Sequence, residues 1–225
     1  MADEAEPSGV RVRQMTTQSP SRLAMPPLVA VFRAASATRL PEVCEVLYAE
    51  GFRAFEFTLT TPGATAALTA TRARLPDDAV LGIGTVLTLD DVDGAADAGA
   101  DFLVSPIFSP VALGRALGRG IPFVPGTNTP TEAYTAWQSG AAMVKLWPVN
   151  AMGGPSYVRA LLQVLPGLVL MPSGGITEDD VAGYLSAGAT AVGLGGGFQG
   201  DAAERAGDLD ALAARARKAY SNIPR

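Results

Sequence analysis

A lysine and a glutamate lie inside two separate apolar segments of this chain. Lys145 is in the segment Ala-Ala-Met-Val-Lys-Leu-Trp-Pro, and Glu56 is in Phe-Glu-Phe-Thr-Leu. Lysine occurs at only one other position, although arginine is plentiful, so a lysine among apolar neighbours needs a particular reason. Burying a charge is costly unless it is paired or neutral. An apolar environment also favours the neutral amine, which can attack a ketone.

The two residues could neutralise each other as a structural ion pair. They also suit imine chemistry, in which an amine captures a carbonyl and an acid–base group moves the protons. The chain contains no histidine, so Glu56 is the obvious proton carrier and the commonest zinc ligand is missing. Cys44 is the only cysteine, so no disulfide can form within the chain. We interpret Cys44 as a buried, unreactive thiol. We expect neither a metal nor an organic cofactor.

Two glycine-rich turns form a second group of candidates. Ser173-Gly174-Gly175 and Gly195-Gly196-Gly197 each follow a predicted strand. Such turns let backbone N–H groups converge on an anion, although glycine can also simply permit a tight turn. Arg33 could clamp a carboxylate or phosphate, or form a salt bridge at the rim. Thr85 could donate its hydroxyl to a substrate carboxylate, or bond only to backbone.

Eight short apolar runs, separated by amphipathic segments, predict one (β/α)8 barrel, with an open doubly wound sheet as the alternative. The predicted strands are Leu28–Arg33, Ala54–Leu59, Leu81–Thr85, Phe102–Ser105, Pro122–Pro125, Met143–Trp147, Leu168–Pro172 and Ala191–Leu194. Thr61, Ser109 and Thr129 each precede a proline and predict helix starts. In a barrel the catalytic residues lie at the carboxyl ends of the strands. Arg33, Glu56, Thr85, Lys145 and Ser173 are all expected at such ends.

The bulk properties narrow the class of protein. The formal charge of −5 gives no basic footprint for nucleic acid, and no apolar run is long enough for a membrane span. Residues 1–22 are polar and predict a flexible, disordered tail rather than a signal peptide. Residues 23–225 are predicted to form the barrel domain. We expect a cytoplasmic protein that acts on a small molecule.

Taken together, the segments from Pro27 onward resemble the 2-keto-3-deoxy-6-phosphogluconate / 4-hydroxy-2-oxoglutarate aldolase family. The matching motifs are Val31-Phe-Arg33, Glu56-Phe-Thr-Leu59, Gly82-Ile-Gly-Thr-Val-Leu87, Val104-Ser-Pro106, Pro125-Gly126, Thr129-Pro-Thr-Glu132, Val144-Lys-Leu-Trp-Pro148 and Pro172-Ser-Gly-Gly-Ile176. Each motif is weak by itself, but the ordered set at the family's spacing is specific.

The resemblance implies a role for each matching residue. Lys145 would form the imine, Glu56 would shuttle protons, and Thr85 would contact the substrate carboxylate. Further residues expected to bind substrate are Arg33, Pro106, Trp147 and Ser173, and those expected to bind phosphate are Gly174, Gly175, Gly195 and Gly196. The implied reaction is reversible cleavage of a 2-keto-3-deoxy-6-phospho-sugar acid to pyruvate and glyceraldehyde 3-phosphate, in a homotrimer.

Two departures from the family pattern concern the substrate. Gluconate-type members carry an arginine where this chain has Thr60, and they tend to have a serine where it has Gly197. Thr60-Thr61-Pro62 looks closer to the galactonate-type enzymes. The stereochemistry of the substrate therefore stays open, and so does a non-phosphorylated substrate such as 4-hydroxy-2-oxoglutarate. A non-catalytic sugar-phosphate-binding barrel is the alternative from another class of protein.

Overall fold

A computed structural model describes residues 23–200 and 209–224. The predicted tail at residues 1–22 lies outside this part of the chain. Within the described residues, no helix is long and apolar enough to cross a membrane.

Short strands and helices alternate along the described chain. The strands are β1 (Leu28–Phe32), β2 (Ala54–Thr58), β3 (Val80–Gly84), β4 (Phe102–Val104), β5 (Phe123–Val124), β6 (Gly126–Thr127), β7 (Val144–Leu146), β8 (Leu170–Pro172) and β9 (Val192–Leu194). The helices are α1 (Leu40–Ala49), α2 (Ala64–Arg72), α3 (Leu89–Asp97), α4 (Pro110–Gly118), α5 (Pro130–Gln138), α6 (Pro155–Val164), α7 (Val181–Ser186), α8 (Gly196–Gln199) and α9 (Leu209–Ser221), with a 3-10 turn at Val149–Met152.

The strands pair in parallel and form a sheet in two parts. One part has the order β5-β4-β3-β2-β1-β9, and the other has the order β6-β7-β8. A single parallel bridge between Ser173 and Gly193 connects the two parts beyond β8. At the other side, only Pro125 separates β5 from β6. The result is a parallel α/β fold with a helix between successive strands, except between β5 and β6.

The predicted strand Pro122–Pro125 differs from the observed pair β5 and β6. Pro125 has no N–H group to donate, so it cannot continue a two-sided ladder. Its carbonyl still accepts a hydrogen bond from the Lys145 N–H at 2.9 Å. The interruption therefore divides the strand in two while keeping its neighbour β7 in register.

Alternating side chains of β2 enter two different cores. Phe55 and Phe57 are fully buried in the large core beneath the helices. Ala54 belongs to a second apolar core that contains no helix residue and includes Phe102 and Met171. Period-two alternation then places Glu56 on the same face of the sheet as Ala54.

Two of the three predicted helix caps are present, and the third is wrong. Ser109 accepts a hydrogen bond from the Ala112 N–H, and Thr129 forms a capping box, as Thr88 does at the start of α3. Thr61 does not cap α2, which begins at Ala64 after Gly63 in the left-handed conformation, φ 85°. The Thr61 hydroxyl instead accepts a hydrogen bond from the N–H of Ala34, at the end of β1. A tertiary contact has replaced the local one.

Candidate active site

Lys145 and Glu56 meet inside the fold, although they lie 89 residues apart in the chain. The Lys145 Nζ donates to both carboxylate oxygens of Glu56, at 3.2 and 3.3 Å. The two side chains are only 8% and 1% exposed. Because both groups are buried, water cannot solvate either one in place of its partner, and each depends on the other for its hydrogen bonds. The two candidates that the sequence singled out therefore form one unit.

The backbone of β7 fixes the root of Lys145. Its N–H donates to the Pro125 carbonyl, and its carbonyl accepts from the Thr127 hydroxyl at 3.3 Å. Gly126 lies opposite Lys145 in the register of β6 and β7. A Cβ on Gly126 would lie 2.3 Å from the carbonyl carbon of Pro106, so the turn after β4 closes directly onto the strand beside Lys145. This contact places Pro106 against β6, the strand that pairs with the lysine-bearing strand β7.

Thr85 has an unusual backbone conformation directly after β3. Its φ is 62°, and it is the only non-glycine residue of the described chain with a positive φ. A β-branched residue in this region is strained, and such strain is concentrated at functional positions. Its side chain is half-buried and its hydroxyl makes no hydrogen bond to the described residues. The hydroxyl is therefore free to meet a ligand.

The turn after β8 packs against the strand that carries Lys145. Ser173 is buried, its N–H donates to the Leu146 carbonyl at 2.9 Å, and its carbonyl accepts from the Val149 N–H. Gly174 and Gly175 have φ values of 97° and 76°, which favour glycine. A Cβ on Gly174 would lie 2.9 Å from the indole of Trp147. Trp147, 38% exposed, thus lies over this turn.

The turn after β9 is built differently. Gly196 and Gly197 begin the short helix α8, are exposed, and have open space where a Cβ would lie. Gly195 precedes them with φ −107° and ψ −141°. The helical conformation and the open space therefore do not require glycine at Gly196 and Gly197. The carbonyl of Gly195 accepts from the N–H groups of Phe198 and Gln199, which closes the turn.

Arg33 follows β1 and extends from the fold surface. It is exposed, and within residues 23–200 and 209–224 its guanidinium forms no ion pair or hydrogen bond. The predicted alternative, a salt bridge at the rim, is therefore not present in the described part. The guanidinium is available for an anion.

Asn150 is a residue that sequence reasoning missed. Its amide donates to the carbonyl of Gly175 and accepts from the hydroxyl of Tyr184 at 2.5 Å. Burial raises the pKa of Tyr184 to about 12, so this phenol stays protonated and able to donate. The bridge anchors the turn after β8 to α7. No local pattern marks Asn150, because its partners lie 25 and 34 residues away.

Cys44, on α1, is fully buried in the large core, as the sequence predicted. Burial is the main cause that raises the pKa of its thiol well above the usual value, which opposes thiolate formation. Within the described residues, no group of three or more histidine, cysteine or acidic side chains is arranged to hold a metal ion.

The buried pair of Lys145 and Glu56 in a parallel α/β fold is the candidate active site. The family described as KDPG and KHG aldolase matches residues 20–214, and the chain belongs to it. The protein is therefore an aldolase, a carbon–carbon lyase.

Individual relatives agree with this assignment. The 2-dehydro-3-deoxy-6-phosphogalactonate aldolase of Escherichia coli K12 is 36% identical over 171 residues, which are 75% of this chain and 82% of the relative. A solved structure described as native KDPGal is 32% identical with a TM-score of 0.79, covering 88% of this chain and 94% of that one. The KDPG aldolase of Legionella pneumophila, solved with pyruvate captured as a covalent carbinolamine, is 28% identical with a TM-score of 0.77, covering 89% and 97%.

Proposed function

We propose that this aldolase reversibly cleaves a 2-keto-3-deoxy-6-phospho-sugar acid to pyruvate and glyceraldehyde 3-phosphate through a Schiff base on Lys145. The observation that carries the proposal is the buried contact between Lys145 Nζ and both oxygens of Glu56. Relatives named as phosphogalactonate and phosphogluconate aldolases support the substrate class. The carbinolamine captured in the Legionella pneumophila relative supports covalent pyruvate chemistry.

The pair can carry every proton transfer of this reaction. Lys145 attacks the C2 ketone, and Glu56 donates the proton that lets the carbinolamine lose water to form the imine. Glu56, through a water molecule, then takes the proton of the C4 hydroxyl as the C3–C4 bond breaks and the aldehyde leaves. The bonding electrons move into the protonated imine and form the enamine. Protonation at C3 and hydrolysis release pyruvate and regenerate the amine.

The remaining candidates would bind the two anionic ends of the substrate. We propose that Thr85 donates its unpartnered hydroxyl to the carboxylate. The turns at Gly174-Gly175 and Gly195-Gly196 would receive the phosphate through backbone N–H groups, with Arg33 as the main side-chain anion clamp. Pro106, Trp147 and Ser173 would form the walls near Lys145. This division follows the resemblance and is supported by the free groups on Thr85 and Arg33.

We further propose that the two sheet parts are one closed (β/α)8 barrel, formed by residues 23–225 as a single domain. The bridge between Ser173 and Gly193 supports closure at one side, and the continuity of β5 and β6 through Pro125 supports it at the other. The homotrimer and the cytoplasmic location implied by the resemblance stay predictions. Size-exclusion chromatography with light scattering would test the trimer.

The galactonate-type substrate is the preferred one of the two stereoisomers. Thr60, where gluconate-type relatives carry an arginine, is exposed and its hydroxyl lies 3.0 Å from that of Thr58. A neutral, hydrogen-bonded side chain at this place cannot clamp an anion as an arginine does. Comparing kcat/KM for the galactonate and gluconate forms, and for 4-hydroxy-2-oxoglutarate, would decide among them.

The first experiment traps the imine. The protein is incubated with pyruvate and borohydride, and the reduced adduct is located by intact mass and peptide mapping. Lys145→Ala is compared with Lys218→Ala, the matched control, since Lys218 is the only other lysine and forms a surface pair with Asp179. We expect an adduct on Lys145 in the wild type and in Lys218→Ala, and none in Lys145→Ala. No adduct at saturating pyruvate would refute the imine mechanism; thermal stabilisation by a sugar phosphate without turnover would then favour the binding-protein alternative.

A further inference from the structure

The backbone on both sides of Arg33 is tied to buried threonine hydroxyls. The N–H of Ala34 donates to the Thr61 hydroxyl at 3.1 Å, and the Thr58 hydroxyl donates to the carbonyl of Phe32 at 2.7 Å. The two hydroxyl oxygens lie 3.3 Å apart. Because the Thr58 proton is directed to Phe32, the Thr61 hydroxyl can donate to Thr58. A directed chain of hydrogen bonds then runs from the Ala34 N–H to the Phe32 carbonyl.

This chain of hydroxyls replaces a sheet ladder at the point where β1 ends. The register of β1 and β2 runs as far as Phe32 and Phe57. Beyond it, the two threonines take over as partners of the β1 backbone. Both are only 1% exposed, so water cannot replace them without reorganisation of the fold. These hydrogen bonds thereby fix the position and orientation of the backbone that bears Arg33 relative to β2.

Arg33 itself contributes nothing to its own placement. Within the described part of the chain its guanidinium has no partner, and the side chain is exposed. An arginine side chain has many rotamers. If its Cα shifts or its backbone turns, the guanidinium of every rotamer lies in a different place. The direction in which the guanidinium is presented therefore depends on the backbone of residues 32–34.

We propose that Thr61, acting with Thr58, is a positioning residue for Arg33 and sets the affinity of the enzyme for the anionic end of its substrate. The inference rests on the proposed role of Arg33 as an anion clamp. It also accounts for the failed prediction that Thr61 caps α2. Its hydroxyl serves the end of β1, and the helix start is left to Gly63, which makes no side-chain cap.

The test is a double-mutant cycle between Thr61 and Arg33. Thr61→Val removes the hydroxyl at nearly constant volume, Thr61→Ser retains it, and Arg33→Ala removes the clamp. KM and kcat are measured for 2-keto-3-deoxy-6-phosphogalactonate cleavage. Thr71→Val is the matched control, since Thr71 is also buried and its hydroxyl donates to the Ala67 carbonyl within α2.

We expect Thr61→Val to raise KM about tenfold in the wild-type background, the effect of about one lost charge-assisted contact, with little change in kcat. In the Arg33→Ala background the same substitution should raise KM less than about twofold, because the residue it positions is gone. Thr61→Ser should restore KM, and Thr71→Val should leave KM unchanged. If Thr61→Val does not fold, Thr58→Val in both backgrounds should give the same pattern.

Equal effects of Thr61→Val in both backgrounds would overturn the inference, because the threonine would then act independently of Arg33. An unchanged KM in Arg33→Ala would overturn it together with the clamp role. Neither outcome bears on the proposed imine mechanism, which is tested separately by trapping pyruvate on Lys145 in the wild-type protein.

Discussion

The carboxylate of Glu56 occupies the space that a side chain at position 84 would fill, and residue 84 is glycine. A Cβ on Gly84 would lie 2.1 Å from Oε1 of Glu56 and 2.7 Å from its Cδ and Cγ. Gly84 lies on β3, opposite Thr58 of β2, so Glu56 reaches across the sheet face from the position two residues earlier. The absence of a side chain on one strand thus lets a carboxylate on the next strand lie where Lys145 can reach it.

Gly84→Ala should remove most of the activity although neither Lys145 nor Glu56 is substituted. The added methyl group overlaps the carboxylate, so Glu56 must rotate away from Lys145. We expect kcat/KM to fall about 10²–10⁴-fold, the range for loss of a positioned acid–base group. Overpacking should also lower the free energy of unfolding by about 1–3 kcal/mol. Steady-state cleavage assays and urea unfolding measure the two effects.

The control for this substitution is Gly94→Ala in α3. No heavy atom lies within 4 Å of a Cβ built on Gly94. Alanine there should retain full activity and raise the free energy of unfolding by about 0.5–1 kcal/mol, because glycine weakens a helix. Wild-type activity in Gly84→Ala would contradict the space-filling argument.

Lys145→Met should destabilise the protein by leaving Glu56 buried without its cation. The Glu56 side chain is 1% exposed, and loss of one member of a buried pair costs about 3–5 kcal/mol. The double variant Lys145→Met/Glu56→Met replaces both charges with apolar groups, so most of this loss should be recovered. Urea unfolding of the wild type and the single and double variants measures the coupling. Additive losses in the double variant would show that the pair contributes little as a pair.

Thr85→Gly should separate stability from activity. Glycine accepts the φ of 62° that strains a β-branched residue, and this relief, about 1–3 kcal/mol, offsets the entropy that glycine loses on folding. We expect thermal stability equal to or above that of the wild type, while kcat/KM falls at least about tenfold because the hydroxyl is lost. Thr85→Ser keeps the hydroxyl and should keep most of the activity. A large loss of stability in Thr85→Gly would argue against strain at this residue.

Glu132→Gln should reveal a pH-dependent contribution to stability at the start of α5. The Asn128 N–H, followed by the Thr129 hydroxyl, holds the pKa of Glu132 below its usual value. A lowered folded-state pKa means that the carboxylate stabilises the fold above the unfolded-state pKa, and that this contribution is lost as the pH falls through the folded-state value. The variant should therefore be less stable at pH 7, and its difference from wild type should shrink below about pH 4.3.

The control for the pH experiment is Thr131→Ala, an exposed and non-titrating change in the first turn of the same helix. Its effect on the free energy of unfolding should not vary between pH 7 and acid. If the difference between Glu132→Gln and wild type is equally flat with pH, the capping carboxylate does not contribute through its charge.

The sequence by itself determined most of the strands, several helix ends and the two members of the buried lysine–glutamate pair. These depend on local physics: apolar runs, a hydroxyl before proline, and a charge whose burial must be compensated. Period-two alternation along Phe55, Glu56 and Phe57 also determines which side chain faces away from the helices, because successive side chains of a strand point to opposite faces.

Only the tertiary structure decided how distant residues share space. Nothing local distinguishes Gly84, which makes room for Glu56, from a glycine in an ordinary turn, and nothing local shows that Asn150 bridges Tyr184 and Gly175. Thr61 had the local pattern of a helix cap, yet its hydroxyl bonds to Ala34, 27 residues earlier. The sequence contains both the local and the distant partner of such a group. The packing of neighbouring strands decides which of the two lies within hydrogen-bond distance.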